Sequence, residues 1–158
     1  MSYFKPEPFT KVLYFENGGK GDADGRSPDH AAAMIDNSTL WAIPQYSEIK
    51  KVSVIIDTAV AGTTDIDIGD ADNADGFVDG SGSLTLGTPG IYSNNAKVAG
   101  AYLRVETAGA TDAADIYVVP TSKYYTASGK YIAADFTGTS SAGKLRVVIE
   151  GVYHGANP

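Results

Sequence analysis

Apolar and polar residues alternate most clearly in EIKKVSVIID (48–57), where Val52, Val54 and Ile56 interleave with Ser53, Ile55 and Asp57. A period of two puts alternate side chains on opposite faces of a strand. Ile55 breaks the polarity of the outward set. TDIDIG (64–69) repeats the pattern, with Asp65 and Asp67 toward water and Ile66 and Ile68 toward a core. AGT (61–63) lies between the two runs, so together they predict a hairpin. AYLRVET (101–107) alternates again, Tyr102, Arg104 and Glu106 opposite Leu103 and Val105. DIYVVP (115–120) reads as a strand ended by Pro120, KYIAADF (130–136) as a weaker one, and KLRVVIEGVY (144–153) as a long final strand. GTSSAG (138–143) supplies a turn between the last two.

Shorter runs fill the rest. KVLYFE (11–16) and STLWAIP (38–44), the latter stopped by Pro44, are strand candidates. FVD (77–79), SLTL (83–86) and IYS (91–93) follow between Gly-rich turns. HAAAM (30–34) after Asp29 is long enough for one helical turn only. The pattern therefore predicts an all-β, single-domain protein of about eight or nine strands, a jelly roll or related β-sandwich, with a compact barrel as the remaining architecture.

Residues 1–10 depart from this pattern. Pro6 and Pro8 remove two ladder donors, which predicts an extended N-terminal arm. Tyr3, Phe4 and Phe9 make that arm apolar enough to dock on its own body or on a neighbour. ENGGKGDADGRSPD (16–29) has no periodicity and reads as a long loop. The expected division is an arm and loop over 1–37 and a β-sandwich domain over 38–158.

Charge changes the picture in one place. The chain carries 12 basic and 19 acidic residues, a net charge of −7. Residues 64–79 hold six aspartates and no lysine or arginine, so this stretch alone carries −6. An acidic chain without a basic patch argues against nucleic acid as the partner. No run of 18 apolar residues suggests a membrane helix, and MSYFKPEPFTK has no signal-peptide core. With no cysteine, thiolate metal sites and disulfides are excluded.

Candidate chemistry centres on the acidic stretch. An EF-hand loop needs oxygen ligands at positions 1, 3 and 5, glycine at 6 and glutamate at 12. Counting from Asp70 gives Asp70, Asp72, Ala74, then Asp75 where glycine belongs and Ser81 at the end. The expectation is no cofactor, with a looser Ca²⁺ site over Asp70, Asp72 and Asp75 as the metal alternative. Asp65 and Asp67 share a strand face, but paired-carboxylate hydrolysis also needs a cleft and a raised pKa. Like charges on a solvated face are the plainer reading. His30 and His154 stand apart from other ligand types, and HExxH, GxSxG and phosphate-cradle motifs are absent. Tyrosine supplies the remaining signal. Tyr124 and Tyr125 lie in the loop-like TSKYYTASGKY (121–131), either as an interaction surface or as edge residues with rings inward and hydroxyls at the rim.

EIKKVSVIIDTAVAGTTDIDIGDADNADGFVD (48–79), with IYSNNAKVAG (91–100) and a terminal VVIEGVY strand, resembles segments of small tailed-phage virion structural proteins. The likeness is greatest to capsid decoration or cement proteins. It implies a jelly-roll or sandwich fold, a homo-oligomer with a trimer favoured, and the major capsid protein as partner. It further implies a virion protein of the outer capsid surface, made in the host cytoplasm. It names no active site. The function expected is non-enzymatic binding and stabilisation of the capsid shell. The alternatives are a head-fibre, tail or carbohydrate-binding β-module of a phage particle and, third, a hydrolytic enzyme.

Overall fold

The computed structural model describes residues 5–17, 34, 36–80, 84, 86–92, 100–103 and 121–155. Tyr3, Phe4, His30 and the run 115–120 lie outside these residues, as does 101–107 beyond Leu103. Six strands are seen, all in one sheet: β1 (Glu7–Glu16), β2 (Asn37–Ala42), β3 (Ser47–Gly69), β4 (Gly90–Tyr92), β5 (Lys123–Tyr125) and β6 (Tyr131–Tyr153). The central order is β1–β6–β3–β4, with β2 also on β6 and β5 also on β3. Every pairing is antiparallel.

The spine is the pairing of β3 with β6, two strands of 23 residues each. Ser47 starts opposite Tyr153 and Gly69 ends opposite Ala133. The predicted hairpin from 48–57 to 64–69 does not form. AGT stays inside β3 instead of reversing it, and GTSSAG stays inside β6. These two glycine-bearing segments face each other, Ala61 opposite Ala142 and Thr63 opposite Gly138, where the register slips repeatedly. Gly62, Gly138 and Gly143 all have positive φ, at 85°, 95° and 119°. A Cβ on Gly62 would sit 2.1 Å from the Thr139 carbonyl oxygen, and one on Gly138 2.5 Å from that of Gly62. Such bulges bend a paired ribbon without ending it.

The bend is sharp. Phe15 pairs with Leu145, yet its ring lies 5.3 Å from that of Phe136, nine residues earlier on β6. Nine extended residues would span about 30 Å. Phe9 and Trp41 likewise meet at 5.9 Å, although their β6 partners are Gly151 and Ile132. The continuous sheet therefore doubles back on itself. Its first half holds β1, the second part of β6 and the first part of β3. Its second half holds β2, the first part of β6 and the last part of β3.

The core lies between the halves. Leu13 and Phe15, then Val52, Val54 and Ile56, then Leu145, Val147 and Ile149 are buried from one side. Ile66, Ile68, Ile132, Ala134 and Phe136 are buried from the other. Burying a large apolar side chain contributes about 1.5–3 kcal/mol, which is what fixes register and face. β1 begins at Glu7, four residues before the expected strand. Part of the expected arm is thus a strand of the sheet, and Phe9 is half-buried against Trp41. Pro8 is tolerated because β1 is the terminal strand of the order.

Candidate functional site

Where β3 ends, the chain enters the acidic loop, and its first aspartate turns inward. Asp70 is 2% exposed. Its backbone N–H donates to the Asn73 carbonyl at 2.9 Å, and Gly76 N–H donates to the same oxygen. The close approach needs glycine at 69, where a Cβ would meet the Asn73 oxygen at 2.0 Å. The Asp70 carboxylate accepts four hydrogen bonds. Oδ1 takes the Tyr102 hydroxyl at 2.8 Å and the amides of Asp72 and Asn73 at 2.9 and 3.0 Å. Oδ2 takes the Tyr125 hydroxyl at 2.6 Å.

These bonds decide the electrostatics. Burial pushes the Asp70 carboxyl up, but the two tyrosine hydroxyls and two amides outweigh it and hold the group below the ordinary carboxylate range. Burial and the same carboxylate raise both tyrosines above the usual phenol value. Lys123 lies over the Tyr102 ring at 3.9 Å, and Phe77 packs edge-on to that ring at 5.1 Å. Asp70 therefore joins the acidic loop, the Tyr102 turn and β5 into one buried knot.

Calcium would compete with this knot. Asp70 Oδ1 already accepts three donors and Oδ2 one, so a cation at Oδ1 would have to displace hydrogen bonds already made. Asp72 is bound by Lys130 Nζ at 2.8 Å. Among the described residues no group of three or more His, Asp or Glu is placed to hold a metal ion, and the chain has no cysteine. A cavity of about 320 Å³ lies beside the loop, lined by Asp36, Asn37, Asp72, Asn73 and Asp135 among others. Asp75 is not among its lining residues.

Asp65 and Asp67 do alternate with buried Ile66 and Ile68, as expected, but they are half-buried and not freely solvated. The following loop folds over them. Gly80 N–H donates to Asp67 Oδ1 at 3.0 Å, and Asp65 Oδ1 lies where a Gly80 Cβ would be. Burial pushes both carboxyls up, with neighbouring aspartates adding to it.

The tyrosines of 121–131 separate. Tyr125 is 3% exposed, with its ring in the core and its hydroxyl on Asp70. Tyr124, on the opposite face of β5, is 47% exposed and packs edge-on against His154 at 5.5 Å. His154 is not a loose tail. Its N–H donates to the Tyr46 carbonyl at 2.9 Å, and its Nε2 lies 3.0 Å from Glu48 Oε2. Ser122 Oγ donates to Glu48 Oε1 at 2.6 Å, the bond chiefly responsible for holding the Glu48 carboxyl below its ordinary value. Serine, histidine and a carboxylate thus meet, but with Glu48 between the other two. A hydrolytic triad needs the base against the nucleophile, so this order closes the C-terminal strand and activates nothing.

No protein-family model matches the chain, and no curated protein matches it. Among solved structures it is distantly similar to a chain of the capsid asymmetric unit of cyanophage Pam1. The identity is 13%, the TM-score 0.49, and the match covers 93% of this chain and 84% of that one. A chain from the acid-stable capsid of Helicobacter pylori bacteriophage KHP30 is similar at 14% identity and TM-score 0.42, over 96% and 95% of the two chains. These are distant likenesses of overall fold.

Proposed function

We propose that this chain is a phage virion structural protein that binds and stabilises the capsid shell as a decoration or cement protein, acting by binding and not by catalysis. The observation that carries the reading is the fate of residues 48–79. The stretch whose sequence resembles phage shell proteins forms β3 and the Asp70 loop, which are the spine and the knot of the fold. Its Asp65, Asp67 and Asp70 are engaged in internal hydrogen bonds, which suits a rigid body more than a reaction centre. Exposed Ile91 on β4, Tyr124 and Tyr131 are large side chains of the kind that anchor protein contacts.

On this reading the doubled sheet belongs to a jelly roll or related sandwich. The partner is the major capsid protein at the outer surface of the particle, and the protein self-associates, as a trimer by preference. Tyr3 and Phe4, ahead of β1, and the exposed Tyr124 are the contact residues. Repeated modest contacts on a lattice give avidity without new chemistry.

Co-sedimentation of the purified chain with capsid shells, together with its mass in solution, tests the proposal. An oligomer that saturates the shells supports it, and Tyr124→Ala weakens the association. A monomer that stays in the supernatant at every concentration overturns it.

A further inference from the structure

β1 is the terminal strand of the order, and its pairing with β6 leaves one edge open. One bond fixes which way its backbone groups point. Asn17 N–H donates to the Gly143 carbonyl at 3.2 Å, and the register before it runs unbroken back to Glu7 opposite Tyr153. Facing residues of an antiparallel pair alternate between bonded and non-bonded. Glu7, Phe9, Lys11, Leu13 and Phe15 therefore turn their N–H and C=O groups to β6. Pro8, Thr10, Val12, Tyr14 and Glu16 turn theirs to the open edge, which is why Pro8 costs no ladder bond. Among the described residues no backbone group on that edge has a partner. Thr10 is exposed and Val12, Tyr14 and Glu16 are half-buried on the outer face, while Leu13 and Phe15 are buried on the other. An unbroken edge of this length is a template for another strand.

We propose that this edge pairs with the same edge of a second copy, antiparallel and two-fold, with Leu13 on the axis. A strand-addition partner has to be extended and to match donor with acceptor, and β1 does this against itself. Facing residues must both turn their groups inward to bond, so the edge positions of one copy meet edge positions of the other. With Leu13 on the axis, Thr10 stands opposite Glu16 and Val12 opposite Tyr14, each pair made twice. Pro8, which has no N–H to give, falls outside the paired run. Val12 with Tyr14 is a β-branched residue against an aromatic one, a favourable cross-strand pair, and no like charges face each other. Other axes fit less well. An axis on Lys11 sets Lys11 against itself, and one on Val12 sets Pro8 against Glu16. One on Tyr14 carries Thr10 beyond the end of β1. A foreign strand would satisfy the same main-chain groups, but the fit of β1 to its own reversed sequence selects a second copy. The inference does not rest on the capsid reading. A two-fold contact uses the same patch on both partners, so it is separate from the trimer proposed above and joins two chains, or two such oligomers, where they meet.

Sedimentation of the full chain over rising concentration tests the pairing, with Val12→Pro as the edge variant. Proline at 12 removes an N–H that points off the sheet, so the thermal midpoint should stay close to that of the unaltered chain. At high concentration the unaltered chain should reach about twice the mass of Val12→Pro, the mark of a closed two-fold contact. Register is tested separately and without proline. The chain has no cysteine, so Val12→Cys and Tyr14→Cys are made as single variants, mixed in equal amounts and oxidised mildly. Facing residues of a hydrogen-bonded pair lie about 5.5 Å apart at Cα, within disulfide reach. Disulfides joining unlike variants should outnumber those joining like variants, where random encounter gives equal amounts. A mass that is the same for the unaltered chain and for a folded Val12→Pro overturns the self-pairing. So do unlike and like disulfides in equal amounts, whether or not Val12→Pro folds.

Discussion

The two halves of the β3–β6 spine obey the same alternation and differ in what they show to the outside. In the first half, each carboxylate on that face has a cation. Arg146 makes a two-pronged pair with Asp57 at 2.6 and 2.8 Å, Lys51 meets Glu150, and Lys144 meets Glu16. In the second half Asp65, Asp67 and Asp135 occupy the equivalent rows without an ion pair among the described residues. A period of two explains both equally well. Strand pattern thus specifies which residues face out, and the identity of those residues decides whether the surface is neutral and indifferent to pH or charged and sensitive to it.

The largest way to break this contrast is to cut the knot where the acidic half ends. Asp70→Ala leaves two buried hydroxyls and two amides without an acceptor and should destabilise the fold by about 3–5 kcal/mol, the range for removing a buried charged partner. Urea unfolding measures it, and Tyr125→Phe should cost less, about 1–2 kcal/mol. Next comes the bend that joins the halves. Gly62→Val puts a β-branched residue at positive φ against a carbonyl, and a loss of about 2–3 kcal/mol is expected, with both halves unfolding together. A preserved midpoint would show that the bend relaxes freely. Smaller still is the paired half itself. Arg146→Ala should cost about 0.5–1 kcal/mol, and less at high salt, because the pair is partly exposed. Asp67→Asn should have the opposite sign, a gain of a few tenths of a kcal/mol at neutral pH that shrinks as salt rises. If Asp67→Asn and Arg146→Ala respond alike to salt, the two faces are not electrostatically distinct.

How far this was legible in the sequence depends on range. The alternation in 48–57 and 64–69 locates strand and buried Val52, Val54, Ile56, Ile66 and Ile68 correctly, because pleat periodicity is a local property, and the runs 130–136 and 144–153 both fall in β6. AGT and GTSSAG carry real turn chemistry, but the same glycines at positive φ serve a reversal or a bend, and only the facing strand decides between them. The prolines that argued against a strand at 7–10 are acceptable on a terminal strand, which is a fact of sheet order and not of sequence. Asp70 was visible as an acid and stood out only as one of three loose Ca²⁺ candidates. Its burial depends on Tyr102 and Tyr125, 32 and 55 residues away. The excess of tyrosine, a ring that buries with one polar end, was the available signal. Nothing local tied those hydroxyls to that carboxylate.

The pairing of β1 with β6 carries a consequence for how the molecule is made. Glu7 lies beside Tyr153 and Glu16 beside Lys144. A ribosome releases the first strand long before its hydrogen-bonding neighbour exists. Until then Leu13 and Phe15 lack their β6 partners Val147 and Leu145, and the local pairing available to β3 among the described residues is the short bridge of Ile68 with Val78. Closure must therefore follow synthesis of nearly all the described chain, late and in one cooperative step, as contacts distant in sequence require. The nascent β1 is the segment a chaperone would need to shield longest.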